Sequence, residues 1–329
     1  MIKTNILSDD KNCRKRWVSK GGVVVWGIGA AFYLTGCMGL LSPNLMRYLL
    51  QIFLYVALGQ AWNLLNGFSG MTSLGQQLYI GLAGYSMAVV TSVYQGSPLL
   101  GLLVGLVVSV LTALALSWVL FRMQGMYFAI GTWVAAEAVQ KLFLNWKFTN
   151  QGGGMTVRII PYPQVGSIYF MALTICCLSV VMVYGVMSSR LGLGLMAMRD
   201  DAKAASVIGV NLKLMRLAVY LIATVITALA GGVFFINKGT IYPDSGFSTA
   251  WTVSSVFICI IGGTGTLAGP VFGAILYVLL KEFLAFYPGW SNIMLGGITL
   301  FVIFFLPSGI VGTLEKRIKE KLMNESAVH

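Results

Sequence analysis

Histidine is almost missing from this chain: the single one is His329, the last residue. That excludes histidine-based triads, HExxH metalloproteases and most histidine metal sites. No Gly-Lys-Ser/Thr occurs, so there is no P-loop, and any ATP that drives this protein is bound by another chain. Charge is scarce as well. Asp, Glu, Lys and Arg make up 10% of 329 residues, against about 25% in a soluble domain. The five cysteines, Cys13, Cys37, Cys176, Cys177 and Cys259, have neither a disulfide-framework nor a zinc spacing. They read as small apolar packing residues. The residues therefore give no catalytic constellation and no metal site.

What is present is apolar. Hydrophobic residues form 57% of the chain, and the mean hydropathy is +0.83. Too little polar surface remains to cover a water-soluble globule, so the composition points to an integral membrane protein. A bilayer core about 30 Å thick needs roughly 20 apolar residues per helix. Candidate spans fall at 23–41, 45–65, 71–94, 99–121, 126–145, 168–187, 214–236, 250–268, 270–287 and 290–306. The pair 250–268 and 270–287 also reads as one long broken helix. The expected fold is thus an all-α, polytopic helical bundle of about ten transmembrane helices, between eight and ten. The N-terminal basic stretch and apolar run resemble a signal peptide, but the run is long and no small-x-small site follows, so an uncleaved helix is expected.

The net charge of +12 is not spread as a nucleic-acid site would spread it. Basic residues cluster in a tail at 1–22, in a loop at 188–213 and in a tail at 307–329. The positive-inside rule places all three in the cytoplasm, with an even number of spans and both termini inside. The membrane domain then runs over 23–306.

The loop is an anomaly. Arg190, Arg199, Asp200, Asp201, Lys203, Lys213 and Arg216 lie close together in a chain with long uncharged stretches on either side. With Asp200 as N-cap, residues 202–208 suit a short helix, and Gly209 offers a left-handed C-terminal cap. Ala204, Val207 and Ile208 share one face. A helix this short is marginal in water, so it reads either as a solvated loop or as an element docked on a partner.

Polar residues inside the spans are the other candidates. Gln60, Asn63, Asn66, Ser69, Thr72, Ser73, Gln76 and Gln77 gather where Gly67, Gly70 and Gly75 interrupt the apolar pattern. Lipid does not accept such amides. They either line a translocation pathway or bond helix to helix. Glu137, with Lys141 one turn on, is either half of an ion pair or a wall of that pathway; Glu282 beside Lys281 is a span-end charge. Gly265, Gly269 and Gly273 recur every four residues and suit close helix packing.

The segment GLGLMAMRDDAKAASVIGVNLKLMRLAVYLIATVITALAGGVFF, from Gly192 to Phe235, resembles the LivM family, permease subunits of branched-chain amino acid ABC importers. Arg199, Ala204, Ala205, Gly209 and Asn211 match the family pattern. NGFSGMTSLGQQLYIGLAGY, QGMYFAIGTWVAAEAVQ, YPDSGF with IGGTGTLAGPVFGA, and PSGIVG follow in the family's order. Lys203 stands where many relatives carry Glu, and Gln76-Gln77 replaces a small or His-containing pair. The resemblance implies a bacterial inner-membrane permease that pairs with a second, LivH-like permease subunit. It implies two cytoplasmic ATPase subunits holding ATP and Mg, no cofactor on this chain, and an extracytoplasmic solute-binding protein. It makes Arg199, Asp200, Asp201, Lys203, Ala204, Ala205, Ile208, Gly209 and Asn211 a coupling helix and its flanks, docked on the ATPase. The implied solutes are leucine, isoleucine and valine, or urea and short amides. Composition alone also admits a secondary transporter or channel that works without an ATPase.

Overall fold

A computed structural model of the chain describes residues 32–33, 42–159, 165–286, 291–305 and 309–313. The expected first span at 23–41 lies almost wholly outside the described residues, as do the tail at 1–22 and most of the tail at 307–329.

Ser-Pro pairs start two of the long helices. α1 runs Pro43–Trp62 and continues as a π-helical turn, Asn63–Phe68. α3 runs Pro98–Leu120. In each, a serine hydroxyl before the proline accepts an orphan N–H: Ser42 from Leu45 at 3.4 Å, Ser97 from Leu100 at 3.3 Å. Proline at the first position lacks only a donor that the helix does not use there. Between them α2, Gln76–Ser92, begins later than its apolar pattern suggests. Residues 69–75 form an irregular break, fixed by Trp62 Nε1 donating to the Ser73 carbonyl (3.0 Å) and Leu74 N donating to Thr132 Oγ1 (3.0 Å).

The chain continues through α4 (Met126–Asn145), α5 (Val165–Ser188), α6 (Arg190–Asp200), α7 (Ala202–Val207) and α8 (Leu212–Lys238). After the short turn α9 (Pro243–Gly246) come α10 (Ala250–Gly262), α11 (Gly269–Leu284) and α12 (Ser291–Phe305). The run over 250–287 is therefore two helices joined by a turn, not one. Gly265, with φ +77°, sits in that turn and not on a helix face, so the four-residue glycine spacing does not describe one packing stripe. Among the described residues, five helical segments are long and apolar enough to cross a bilayer: Pro43–Phe68, Pro98–Leu120, Val165–Ser188, Leu212–Lys238 and Pro243–Gly262.

α1, α2 and α8 form the centre, and α1 is buried almost throughout from Leu50 onward. Small residues let these helices meet at backbone distance. A Cβ on Gly231 of α8 would stand 2.7 Å from Ile80 Cα, and one on Gly273 of α11 would stand 2.0 Å from the Ile258 carbonyl oxygen of α10. Close approach of this kind gathers van der Waals contact where lipid removes the hydrophobic drive.

The connections segregate to two ends. One end holds the break at 69–75, the α3–α4 turn, α6, α7 and the turn at 263–268; Asn63, Gly67 and Arg199 bond across these segments. The opposite end holds a two-residue antiparallel ladder, β1 (Met155–Thr156) with β2 (Thr240–Ile241), pairing Met155 with Ile241 and Thr156 with Thr240. Ser92 and Gln140 bond Thr156 and Asp244 at that same end.

Candidate functional site

At the first end, Asn63 joins the π turn to the turn at 263–268. Its Nδ2 donates to the Thr266 carbonyl at 2.8 Å, and its Oδ1 accepts from Gly265 N at 2.8 Å. Gln60, one turn earlier, donates from Nε2 to the Leu267 carbonyl at 2.7 Å. These two buried amides hold the turn at 263–268 against α1, as interhelical bonds do. They are separated by about two hundred positions from their partners, so no local pattern announces the pairing.

The rest of the polar group divides. Asn66 Oδ1 accepts from Thr72 Oγ1 at 2.7 Å, and Ser69 Oγ donates to the Leu65 carbonyl at 2.6 Å, closing the break on itself. Ser73 Oγ accepts weakly from Gly75 N at 3.4 Å. Gln77 Oε1 accepts from Thr252 Oγ1, while its Nε2 is buried without a partner among the described residues. Gln76 is buried with neither Oε1 nor Nε2 bonded there, and Gln60 Oε1 is also unfilled. Buried polar atoms in proteins are nearly always bonded, to protein or to ordered water. Gln60 Oε1, Gln77 Nε2 and both amide atoms of Gln76 are the polar atoms in this group that the described residues leave unbonded.

Glu137 is half-buried on α4 and Lys141 is exposed; no ion pair joins them among the described residues. They share a stripe with Ile130 and Val134, which face outward. Glu282 belongs to the opposite end, where it accepts from Tyr48 Oη at 3.1 Å.

The charged loop is tied to the same hub. An Arg199 guanidinium N–H donates to the Gly67 carbonyl in the π turn, and the stem crosses Gly70, whose Cβ would stand 3.4 Å from Arg199 Cγ. A Cβ on Gly265 would stand 3.0 Å from Arg199 Nη1, so the same guanidinium abuts the turn that Asn63 holds. The N-cap of α7 is Asp201, not Asp200. Asp201 Oδ1 accepts from Lys203 N at 2.8 Å and Ala204 N at 3.1 Å, while Asp200 is the last residue of α6. The two acids are adjacent, and only the backbone turn decides which one faces the free N–H groups. At the other end, Gly209 takes φ +91°, with Gly209 N bonded to the Ser206 carbonyl and Val210 N to that of Ala205. This pair of bonds is the Schellman cap. Asn211 then caps α8, accepting from Leu214 N at 3.2 Å.

Ala205 points inward, 2% exposed, so a partner does not meet it directly. Lys203 and Ala204 are exposed, and Val207 and Ile208 are 86% and 76% exposed. Sequence reasoning missed Thr132 as a hydrogen-bond partner of the break and Thr252 as the partner of Gln77 in α2. Each is a hydroxyl within an apolar helix, a signal weaker than that of a charge.

Residues 44–303 match the family described as "Branched-chain amino acid transport system / permease component". The LivM permease protein of the high-affinity branched-chain amino acid transport system of Salmonella typhimurium is 25% identical over 303 residues, covering 82% of this chain and 70% of its own. The inner membrane ABC transporter permease protein YjfF of Escherichia coli is 24% identical over 319 residues, 89% of this chain and 92% of its own. The autoinducer 2 import system permease protein LsrC of Yersinia pestis is 23% identical over 247 residues, 73% and 67% of the two chains. No solved structure matches.

Proposed function

Because the chain belongs to the permease component family of branched-chain amino acid transport systems, we propose that it forms half of the membrane pathway of an ATP-driven importer for leucine, isoleucine and valine, or for a related small polar solute such as urea or a short amide. Its other half is a second, LivH-like permease subunit. Two cytoplasmic ATPase subunits hold ATP and Mg, and an extracytoplasmic binding protein delivers the solute. The chain lies in a bacterial inner membrane with ten spans and both termini in the cytoplasm, which puts the end holding α6 and α7 inside. The segregation of helix connections to two ends supports this up-and-down path.

One observation carries the reading. α7 is capped at both ends, yet Val207 and Ile208 stand in the open. A rigid two-turn helix that shows its apolar side chains to water is suited to a groove on another protein. Arg199 then supplies the mechanical link. Force on α6 and α7 reaches the Gly67 carbonyl, and through it the π turn, the break and the turn at 263–268. π turns inside α-helices are frequent at functional sites. In this mechanism ATPase closure shifts the docked helix, and the break beside Gln76 and Gln77 opens or shuts. The unfilled amide of Gln76 and the unfilled Nε2 of Gln77 support a pathway role for them; Gln60 and Asn63, each donating to the turn at 263–268, serve as its frame. Glu137 and Lys141, on an outward stripe that lipid would not accept, suit the interface with the second permease subunit or the pathway between them.

The test is reconstitution. The chain with its partner permease and ATPases, in vesicles supplied with the binding protein, should accumulate leucine only when ATP is enclosed. Uptake driven by an ion gradient without any ATPase would replace this reading with a secondary transporter. Solute identity is measured on the binding protein, with autoinducer 2 and sugars included because permeases for such importers also match this chain.

A further inference from the structure

A cavity of about 220 Å³ opens at the first end between the break at 69–72, the α3–α4 turn, the α6–α7 joint and the start of α8. Arg199 and Arg216 both line it, beside Ser69, Thr72 and Gln124. Among the described residues neither arginine forms an ion pair, and Arg216 has no hydrogen bond. Two guanidiniums in one cleft repel each other. Arg216 projects from the second turn of α8 and brings its charge to the same cleft as Arg199. That repulsion is relieved by an anion held between them, and guanidinium forks match the geometry of phosphate oxygens.

The surroundings fix the depth of this cleft. Trp118, 73% exposed, sits one turn before the cavity wall at Phe121, with the Arg122 guanidinium 4.6 Å above its ring. Tyr127, 76% exposed, follows just beyond the wall at Gly125. Exposed tryptophan and tyrosine belong at the headgroup level of a bilayer. A basic cleft between membrane helices at that level is suited to lipid phosphate. The remaining wall is apolar, with Met71, Met123 and Phe128, as the glycerol end of a lipid requires.

We propose that this cleft binds a phosphate group, and that an anionic phospholipid supplies it. The bound headgroup would join the break, the α3–α4 turn, the α6–α7 joint and α8, so the link through Arg199 would be firmest in an anionic membrane. The inference needs the chain only to be embedded with this end at a headgroup surface. It stands apart from which solute is carried and whether an ATPase drives it.

The experiment is lipid titration of the purified full chain in detergent, read by native mass spectrometry. Phosphatidylglycerol should bind about fivefold more tightly than phosphatidylcholine, and Arg216→Gln should remove that preference while Arg216→Lys keeps most of it. Should Arg216→Gln not fold, Gln124→Glu on the exposed turn gives the second reading, because a carboxylate in the wall should weaken phosphatidylglycerol by a similar factor. Inorganic phosphate is titrated alone as well. Binding of phosphate without any lipid preference would overturn the lipid source. Equal retention of the two lipids, with no binding of phosphate, would overturn the site. So would an Arg216→Gln chain that holds phosphatidylglycerol as the parent does but no longer retains its ATPase, since the arginines would then belong to that contact.

Discussion

Asn63 at the start of the π turn and Gln76 at the start of α2 carry the same amide, lie thirteen positions apart and are both buried. One is bonded at both its amide atoms and the other bonds nothing among the described residues. The difference separates two uses of a polar side chain in a membrane. Asn63 completes its bonds inside the chain and so holds two segments together. Under the proposed function, Gln76 leaves its bonds to passing water or solute. Gln60 and Gln77, each half-filled, lie between these limits.

The comparison breaks most violently at the turn that Asn63 holds. A Cβ on Gly262 would stand 1.9 Å from the Gly269 carbonyl oxygen, so Gly262→Ala must push α10 from α11 and carry the turn away from Asn63. A loss of about 3 kcal/mol is expected, seen as a fall in thermal unfolding temperature in detergent. Next comes Asn63→Ala. It strands the half-buried Gly265 N–H and Thr266 carbonyl, and a loss of about 1 kcal/mol should follow. Asn63→Asp keeps the acceptor but loses the donor, and should fall between. Gln76→Leu is the counterpart. It removes two unpaired polar atoms and should leave stability within about 0.5 kcal/mol of the parent, or raise it, while solute uptake drops. If Asn63→Ala and Gln76→Leu lower the unfolding temperature equally, the two amides are not used differently and the pathway assignment of Gln76 goes with that result.

Long apolar helices were legible because length and hydropathy are properties of consecutive residues. The pattern for 99–121 predicts α3 to within one residue, and 126–145 coincides with α4. Gly209 was legible for a similar reason: a glycine directly after a helix-compatible run is the usual way to reach positive φ. What could not be read depends on distant or divided choices. The amides of Gln60 and Asn63 meet a turn two hundred positions away, and nothing near them in sequence says so. Asp200 and Asp201 offer the same carboxylate to the same helix, and backbone direction alone selects the second. Ala205 and Ala204 match the family pattern side by side, yet one turns inward and the other outward. A period of 3.6 residues gives a face but not its direction when the helix has only two turns.

That last ambiguity yields the smallest stability effect and a sharp functional one. α7 repeats the comparison of Asn63 with Gln76 in apolar form: Ala205 is packed within the chain, while Val207 and Ile208 are not covered among the described residues. Ala205→Asp would bury a carboxylate with no partner and should destabilise the fold. Val207→Asp and Ile208→Asp place the same group in water, where surface substitutions stay within about 0.5 kcal/mol. A chain carrying either of the latter should fold, insert and unfold at the parent's temperature. If α7 docks on an ATPase, each should nevertheless reduce the ATPase retained on purification and lower ATP-dependent uptake, because a charge would have to be desolvated in the groove. If both variants keep the full complement of ATPase and full uptake, Val207 and Ile208 face water in the working transporter, and the contact must be sought elsewhere on the same end.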